Sequence, residues 1–127
     1  MELITTLTID LPLFSKARPR VTRNGTFMPK AYTEKRKALL AAIQEQYTEA
    51  PLEGPLRVEI EVQGEGRADI DNVAGALFDT ANGVLWVDDR VSIIPELSVK
   101  WTKARREQSR WVVRVYVIES QDRQLSL

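Results

Sequence analysis

Four aspartates mark the two ends of one short segment, RADIDNVAGALFDTANGVLWVDD at residues 67–89. Asp69 and Asp71 lie near its start, and Asp88 and Asp89 close it. Carboxylates repel one another at short distance, so three or four of them come together only when a cation lies between them. The spacing therefore predicts a cation site built from carboxylates.

The chain contains no Cys and no His. Zinc sites with thiolate or imidazole ligands, disulfides and Ser-His relays are thereby excluded. A site made of carboxylate oxygens alone selects Mg²⁺, with Mn²⁺ as a possible substitute. A bound ion of this kind can orient a phosphate and activate water for attack on phosphorus.

A simpler role is available for the first pair, because an aspartate at the start of a helix can cap main-chain N–H groups and is favoured by the helix dipole. One aspartate is enough for a cap, so capping does not explain the presence of the second. It does not explain the adjacent pair Asp88–Asp89 either. Asp79, two turns along the same helix, we interpret as a surface or structural acid.

The charges are balanced in number, 18 Lys or Arg and 18 Asp or Glu, but they are segregated along the chain. Residues 16–37 contain eight basic residues and one acid, and residues 100–114 contain six and one. Residues 65–96, between them, contain seven acids and two arginines. Basic flanks around an acidic middle suit a metal-dependent phosphodiesterase with a polyanionic substrate. Solvation of ordinary loops by charge is the alternative interpretation.

Two helices are predicted from apolar residues at three- and four-residue intervals. The first has its apolar positions at Tyr32, Leu39, Leu40, Ile43 and Tyr47, with Thr33 as its N-cap. The second covers residues 70–81 and ends in a left-handed cap at Asn82–Gly83. Both should pack on a sheet.

Period-two alternation predicts the strands, at residues 3–11, 56–62, 91–101 and 111–118, with a short strand or extended run at 84–87. Leu3, Leu7 and Ile9 share one face of the first strand. The alternation at 56–62 is typical of an antiparallel strand with one buried side. Residues 15–30, which we call the basic arm, should form a loop or a loose hairpin that turns at Asn24-Gly25.

Together these elements predict a single α+β domain over residues 1–127, with two helices packed on a small mixed or antiparallel sheet and a polar tail at 120–127. The N-terminus lacks a basic, apolar leader, and no apolar run approaches the roughly 18 residues of a membrane span. We therefore expect a cytoplasmic protein without a membrane partner.

The segment DIDNVAGALFDTANGVLWVDDR, residues 69–90, closely resembles the core motif of RusA-type Holliday junction resolvases. In that family an Asp-x-Asp-Asn at a helix start is followed, about a dozen and a half residues later, by an Asp-Asp pair. The resemblance extends to the N-terminal strand with its proline, to the basic segment KARPRV and to the final strands. It covers nearly the whole chain.

The resemblance implies a RusA-like fold and a homodimeric, Mg²⁺-dependent endonuclease that nicks two opposed strands of a four-way DNA junction, in recombination and repair. Asp69, Asp71 and Asp89 match the family's essential metal-binding carboxylates. Asp88 matches the first member of the pair and is either a further ligand or a structural residue. Branched DNA and a second copy of the chain are the expected partners.

The basic residues should contact DNA phosphates, which gives salt-dependent affinity without reading sequence. The candidates are Lys16, Arg18, Arg20, Arg23, Lys30, Arg67, Lys100, Lys103, Arg105 and Arg106. Phe27 could stack on bases at an opened junction, whereas Tyr32 fits the helical core better. The three tryptophans lie in strand patterns and should belong to the core or to a dimer interface.

One position departs from the family pattern, because the family usually has a lysine four residues after the second aspartate and this sequence has Gly75. Such a lysine would contact the scissile phosphate or stabilise charge in the transition state. Either a catalytic cation has been lost, or glycine makes room for DNA or a partner subunit. In the second case Arg67, Arg90 or a residue of the arm would supply the charge.

Three functions stay open on the sequence alone. The first is the junction-resolving endonuclease. The second is a module that binds branched DNA with weak or no cleavage because of Gly75. The third is a structural Ca²⁺ or Mg²⁺ site in a small interaction domain, which would leave the charge of the arm unexplained.

Overall fold

The computed structural model describes residues 1–119, and the predicted polar tail at 120–127 lies outside them. The strands are β1 Glu2–Ile9, β2 Arg20–Thr22, β3 Gly25–Phe27, β4 Leu56–Gly64, β5 Glu96–Lys103 and β6 Arg110–Val117. The helices are α1 Lys30–Gln46 and α2 Ile70–Ala81, and a short 3₁₀ turn covers Arg106–Gln108.

Four strands form one sheet in the order β1, β6, β4, β5, and the hairpin β2–β3 forms a separate small sheet. β4 is antiparallel to β6, as its pattern predicted, but it is parallel to β5 because α2 crosses over between them. The predicted α+β domain with two helices and a small mixed sheet is confirmed. No helix in the described part of the chain is long and apolar enough to cross a membrane.

The alternation in β4 determines which face of the sheet is covered. Val58 and Ile60 are buried. Their neighbours point to the other face, where Arg114 and Glu61 form an ion pair at 3.0 Å. Buried side chains of both helices, such as Leu77, join the same core as the strands. The helices therefore cover one face of the sheet and leave the other to charged side chains.

Two predictions in the N-terminal half of the chain, for Leu3 and for Thr33, are wrong. Leu3 is 49% exposed, since the register between β1 and β6 shifts between Leu3 and Thr5 and moves Leu3 out of the core pattern. Thr33 is not the N-cap. The helix begins at Lys30 after Pro29, and the Thr33 hydroxyl donates to the Pro29 carbonyl at 3.3 Å.

Two predicted extended segments are turns. Residues 83–85 form a turn that is bonded back to the end of α2, and only Trp86 of the predicted run is extended, in isolated parallel bridges to Leu52 and Asn82. Residues 91–95 precede β5 rather than belonging to it, and the Ile94 N–H donates to the Arg90 carbonyl at 3.0 Å. The left-handed position after α2 is confirmed at Gly83, with φ of +82°.

Candidate active site

The first acidic pair lies at the start of α2, after an exposed loop that follows β4. Asp69 is at the N-cap position, and its carbonyl accepts the N–H groups of Asn72 and Val73, both at 3.1 Å. Its carboxylate makes no capping bond. Asp71, in the first turn, is exposed as well. Neither carboxylate has a hydrogen-bond or ion-pair partner in the part of the chain that the structure describes, so both are available to a ligand.

The second acidic pair follows the turn after α2. Oδ1 of Asp88 accepts the N–H of Asp89 at 2.8 Å, and Oδ2 lies 3.1 Å from Nε of Arg90. Asp89 is exposed, and its carboxylate has no such partner among the described residues. Asp88 therefore makes bonds within its own segment, whereas the carboxylate of Asp89 is exposed.

The two acidic pairs lie on segments joined to opposite ends of α2, a helix of 12 residues and thus about 18 Å long. Within residues 1–119, no three acidic side chains are placed together as ligands of one metal ion. A single chain does not assemble the predicted cluster. The donor chemistry still fits Mg²⁺, because the side chains offer only carboxylate oxygens and three of them are exposed.

A cleft of about 500 Å³ leads to the start of α2. Lys35, Arg67 and Arg106 line it together with Glu65, and it extends to the residue immediately before Asp69. The cleft can therefore hold an anion beside the first acidic pair. Two of its cations were predicted to bind DNA. Lys35 was missed, because the sequence shows it only as one of several charges on α1.

The other predicted DNA-binding cations lie in three places. The arm exposes Lys16, Arg18, Arg20, Arg23 and Lys30. Lys103 lies with Arg67 in a cavity that adjoins the cleft, and Arg105 is exposed nearby in sequence. Lys100 lies with Arg110 on the outer face of the sheet, so it does not join the cleft.

The sequence matches the family model described as Endodeoxyribonuclease RusA over residues 10–116, which include both helices, the arm and both acidic pairs. This chain belongs to the RusA family. No curated protein matches it significantly. RusA membership confirms the resemblance drawn from the motif, and it implies an endodeoxyribonuclease that acts on branched DNA junctions.

The aromatic residues of this RusA domain divide between core and surface. Trp86 and Trp111 are fully buried, and Tyr32 is buried as predicted. Trp101 is 44% exposed at the edge of the sheet, and Phe27 is 51% exposed on the arm hairpin. Only these last two, among the aromatic residues named here, present a broad ring surface to a partner.

Asp79 connects the arm, α1 and α2, a contact set that the sequence analysis missed. Its Oδ2 accepts the Tyr32 hydroxyl at 2.9 Å, its Oδ1 lies 3.5 Å from Nζ of Lys16, and its carbonyl accepts Nη2 of Arg36 at 2.6 Å. Burial, together with the hydrogen bond to Asp79, raises the pKa of Tyr32 from 10.0 to about 12. Asp79 thus has the structural role that its position suggested.

Proposed function

We propose that this RusA-family protein is a Mg²⁺-dependent, structure-selective endonuclease that resolves four-way Holliday junctions by paired nicks in DNA recombination and repair. One observation carries the proposal. The exposed carboxylates of Asp69 and Asp71, which have no partner among residues 1–119, follow directly in the chain after Ala68, where a cleft lined by Arg67 and Arg106 ends. Cations in the cleft can hold the DNA backbone while the carboxylates hold a metal ion beside it.

Each group of residues has a distinct task in this proposal. Asp69, Asp71 and Asp89 would hold Mg²⁺, or Mn²⁺ in its place. The bound ion would supply Lewis acidity and lower the pKa of an attacking water. Arg67 and Arg106 would orient the phosphodiester by charge-assisted hydrogen bonds. The exposed cations of the arm would follow neighbouring phosphates without reading base sequence.

We also propose a homodimer, since two nicks in opposed strands need two sites related by a two-fold axis. Ile70, between the first two aspartates, is 48% exposed, and Val91, just beyond the second pair, is 82% exposed. Uncovered apolar side chains beside both acidic pairs favour a subunit contact at this surface. The contact would let Asp69 and Asp71 share a metal ion with the partner subunit's Asp89.

The test is cleavage of a synthetic four-way junction in Mg²⁺. Asp69→Asn, Asp71→Asn and Asp89→Asn should each slow cleavage by at least about 100-fold and keep junction binding, because each removes a metal ligand and no cation. Asp10→Asn is the matched control, since Asp10 pairs with Arg110 at 2.7 Å on another part of the surface. Near-normal cleavage by one of the three variants would remove that residue from the site.

A second candidate function is a branched-DNA-binding module with weak or no cleavage, which the glycine at position 75 favours. A shifted but intact junction, in Mg²⁺ and in Mn²⁺, would support it. If the protein has no effect on the junction at all, the acidic pairs are better explained by a structural cation site.

A further inference from the structure

The cleft beside the start of α2 is lined by cations that the fold leaves unpaired. Lys35 of α1, Arg67 of the loop before α2 and Arg106 of the 3₁₀ turn all line it. Within residues 1–119, none of these three side chains has an ion-pair or hydrogen-bond partner. Glu65 is the one carboxylate in the lining. Three cations against one carboxylate leave the cleft with a surplus of two positive charges.

Ser109, which follows the 3₁₀ turn, adds a neutral donor to the same cleft. The residue is only 6% exposed, and its hydroxyl makes no hydrogen bond to any part of the chain that the structure describes. Among those residues, the one fully enclosed side-chain atom without a partner is Nε of Arg36, so the Ser109 hydroxyl keeps some surface open to the cleft. A buried hydroxyl without a partner is costly unless a ligand or water satisfies it. Ser109 therefore points to a ligand that accepts hydrogen bonds.

The charge of the cleft indicates which phosphate it fits. A phosphodiester inside a DNA strand carries one negative charge. A phosphate monoester has a second pKa of about 6, so near pH 7 it carries almost two negative charges and three acceptor oxygens. The surplus of positive charge and the free hydroxyl donor match the monoester better. A volume of about 500 Å³ also leaves room for the sugar of the same nucleotide.

We propose that the cleft binds the terminal phosphate of a cut DNA strand, with Lys35, Arg106 and Ser109 as its ligands. Its role rests on the proposed nuclease function. Hydrolysis adds the oxygen of water to phosphorus and breaks the bond to one sugar oxygen, which takes up a proton and leaves as a hydroxyl. The other strand end keeps the phosphate as a monoester, which gives most of its remaining proton to solvent. The cleft would then hold the nicked strand while the opposed strand is cut.

Binding to short nicked duplexes without divalent metal tests the site. The nick carries a 5′-phosphate, a 3′-phosphate or hydroxyls only. A hydroxyl-ended duplex longer by one base pair has the same total charge as the phosphorylated ones and is the matched control. One of the two phosphorylated nicks should bind about tenfold more tightly than this control, because of the extra charge-assisted hydrogen bonds. A preference below threefold for both ends overturns the site.

Variants of the cleft test which residues hold the phosphate. Ser109→Ala and Lys35→Met should each reduce the preference to below threefold, and Lys35→Arg should retain it. Lys37→Met removes an exposed lysine of the same helix that does not line the cleft, so it should keep the full preference. Inorganic phosphate should compete with the phosphorylated nick, whereas chloride at equal ionic strength should not. Thermal melting shows that each variant is folded. A preference that survives both Ser109→Ala and Lys35→Met places the phosphate elsewhere and overturns the proposal.

Junction cleavage in Mg²⁺ separates this site from the nuclease function. A wild type that cleaves but has no preference for a phosphorylated nick loses only the strand-end site. A wild type that prefers one phosphorylated nick but never cleaves keeps the strand-end site and overturns the nuclease proposal.

Discussion

Asp79 joins three parts of the chain through a single residue. Its two carboxylate oxygens are used by different partners, Tyr32 and Lys16, and its carbonyl by Arg36. Replacing the carboxylate by an amide would keep an acceptor for the tyrosine but lose the charge that attracts the lysine. Asp79 therefore holds the root of the arm, α1 and α2 together.

Tyr32 should make the free energy of unfolding depend on pH. Its pKa is raised from 10.0 to about 12 by burial and by the Asp79 hydrogen bond. Between these values the unfolded chain loses the phenol proton and the folded chain keeps it, so deprotonation favours unfolding. The stabilisation is complete below pH 10 and is lost as the pH rises through 12. Its full size is about 2 to 3 kcal/mol.

Tyr32→Phe should therefore be less stable than wild type at pH 9, and the difference should shrink as the pH approaches 12. Urea unfolding at several pH values, followed by the fluorescence of the buried Trp86 and Trp111, measures it. Parallel stability curves for the two proteins would show that Tyr32 does not lose its proton in this way. Thr80→Val is the control, because it removes a buried hydroxyl that does not lose a proton in this pH range.

The basic arm differs from the rest of the fold in the exposure of its hairpin. Every residue of β2 and β3 is exposed, and the hairpin forms its own sheet. Its root, by contrast, is fixed to α2 through Lys16. An element built in this way can follow the DNA backbone at its tip while its root stays bonded to α2.

Replacing both Arg18 and Arg20 by alanine should weaken binding to every branch of a junction alike. Each lost phosphate contact lowers the slope of log affinity against log salt by about 0.9, so the slope should fall by nearly 2. Fluorescence anisotropy over a salt series measures this. Arg114→Ala is the control, because Arg114 pairs with Glu61 on the outer face of the sheet. An unchanged slope in the double variant would mean that these arginines do not contact phosphates.

The elements that sequence predicted best are those whose pattern depends on burial alone. The alternation of Val58 and Ile60 places β4 correctly, because side-chain direction in a strand has a strict period of two. The prediction for Leu3 was wrong because a bulge interrupts that period. No residue type in the sequence marks the position of the bulge. The close approach of the Lys16 side chain to Gly75 was out of reach for a different reason. It depends on where the folded arm meets α2, which local patterns do not encode.

The two acidic pairs do not come together within the described part of one chain. The acidic pairs sit at segments on opposite ends of α2, and Ile70 and Val91 beside them are uncovered. A two-fold dimer at this surface would cover the apolar residues and bring the acidic pairs of different chains together. Sedimentation should then show a species of about twice the 14.5 kDa chain mass. A single-chain species at micromolar concentration, with and without junction DNA, would contradict the dimer.

Mixing two inactive variants tests whether the site is shared. In a dimer of one Asp69→Asn chain and one Asp89→Asn chain, a shared arrangement gives one site with all its aspartates and one site that lacks both. Equal mixing and exchange yield roughly half such dimers. They should nick one strand of a junction and fail to resolve it, because resolution needs two nicks. If each site is built within one chain, every site in the mixture lacks an aspartate and no nick is formed. Nicked product from the mixture, and from neither variant alone, therefore requires ligands from both subunits.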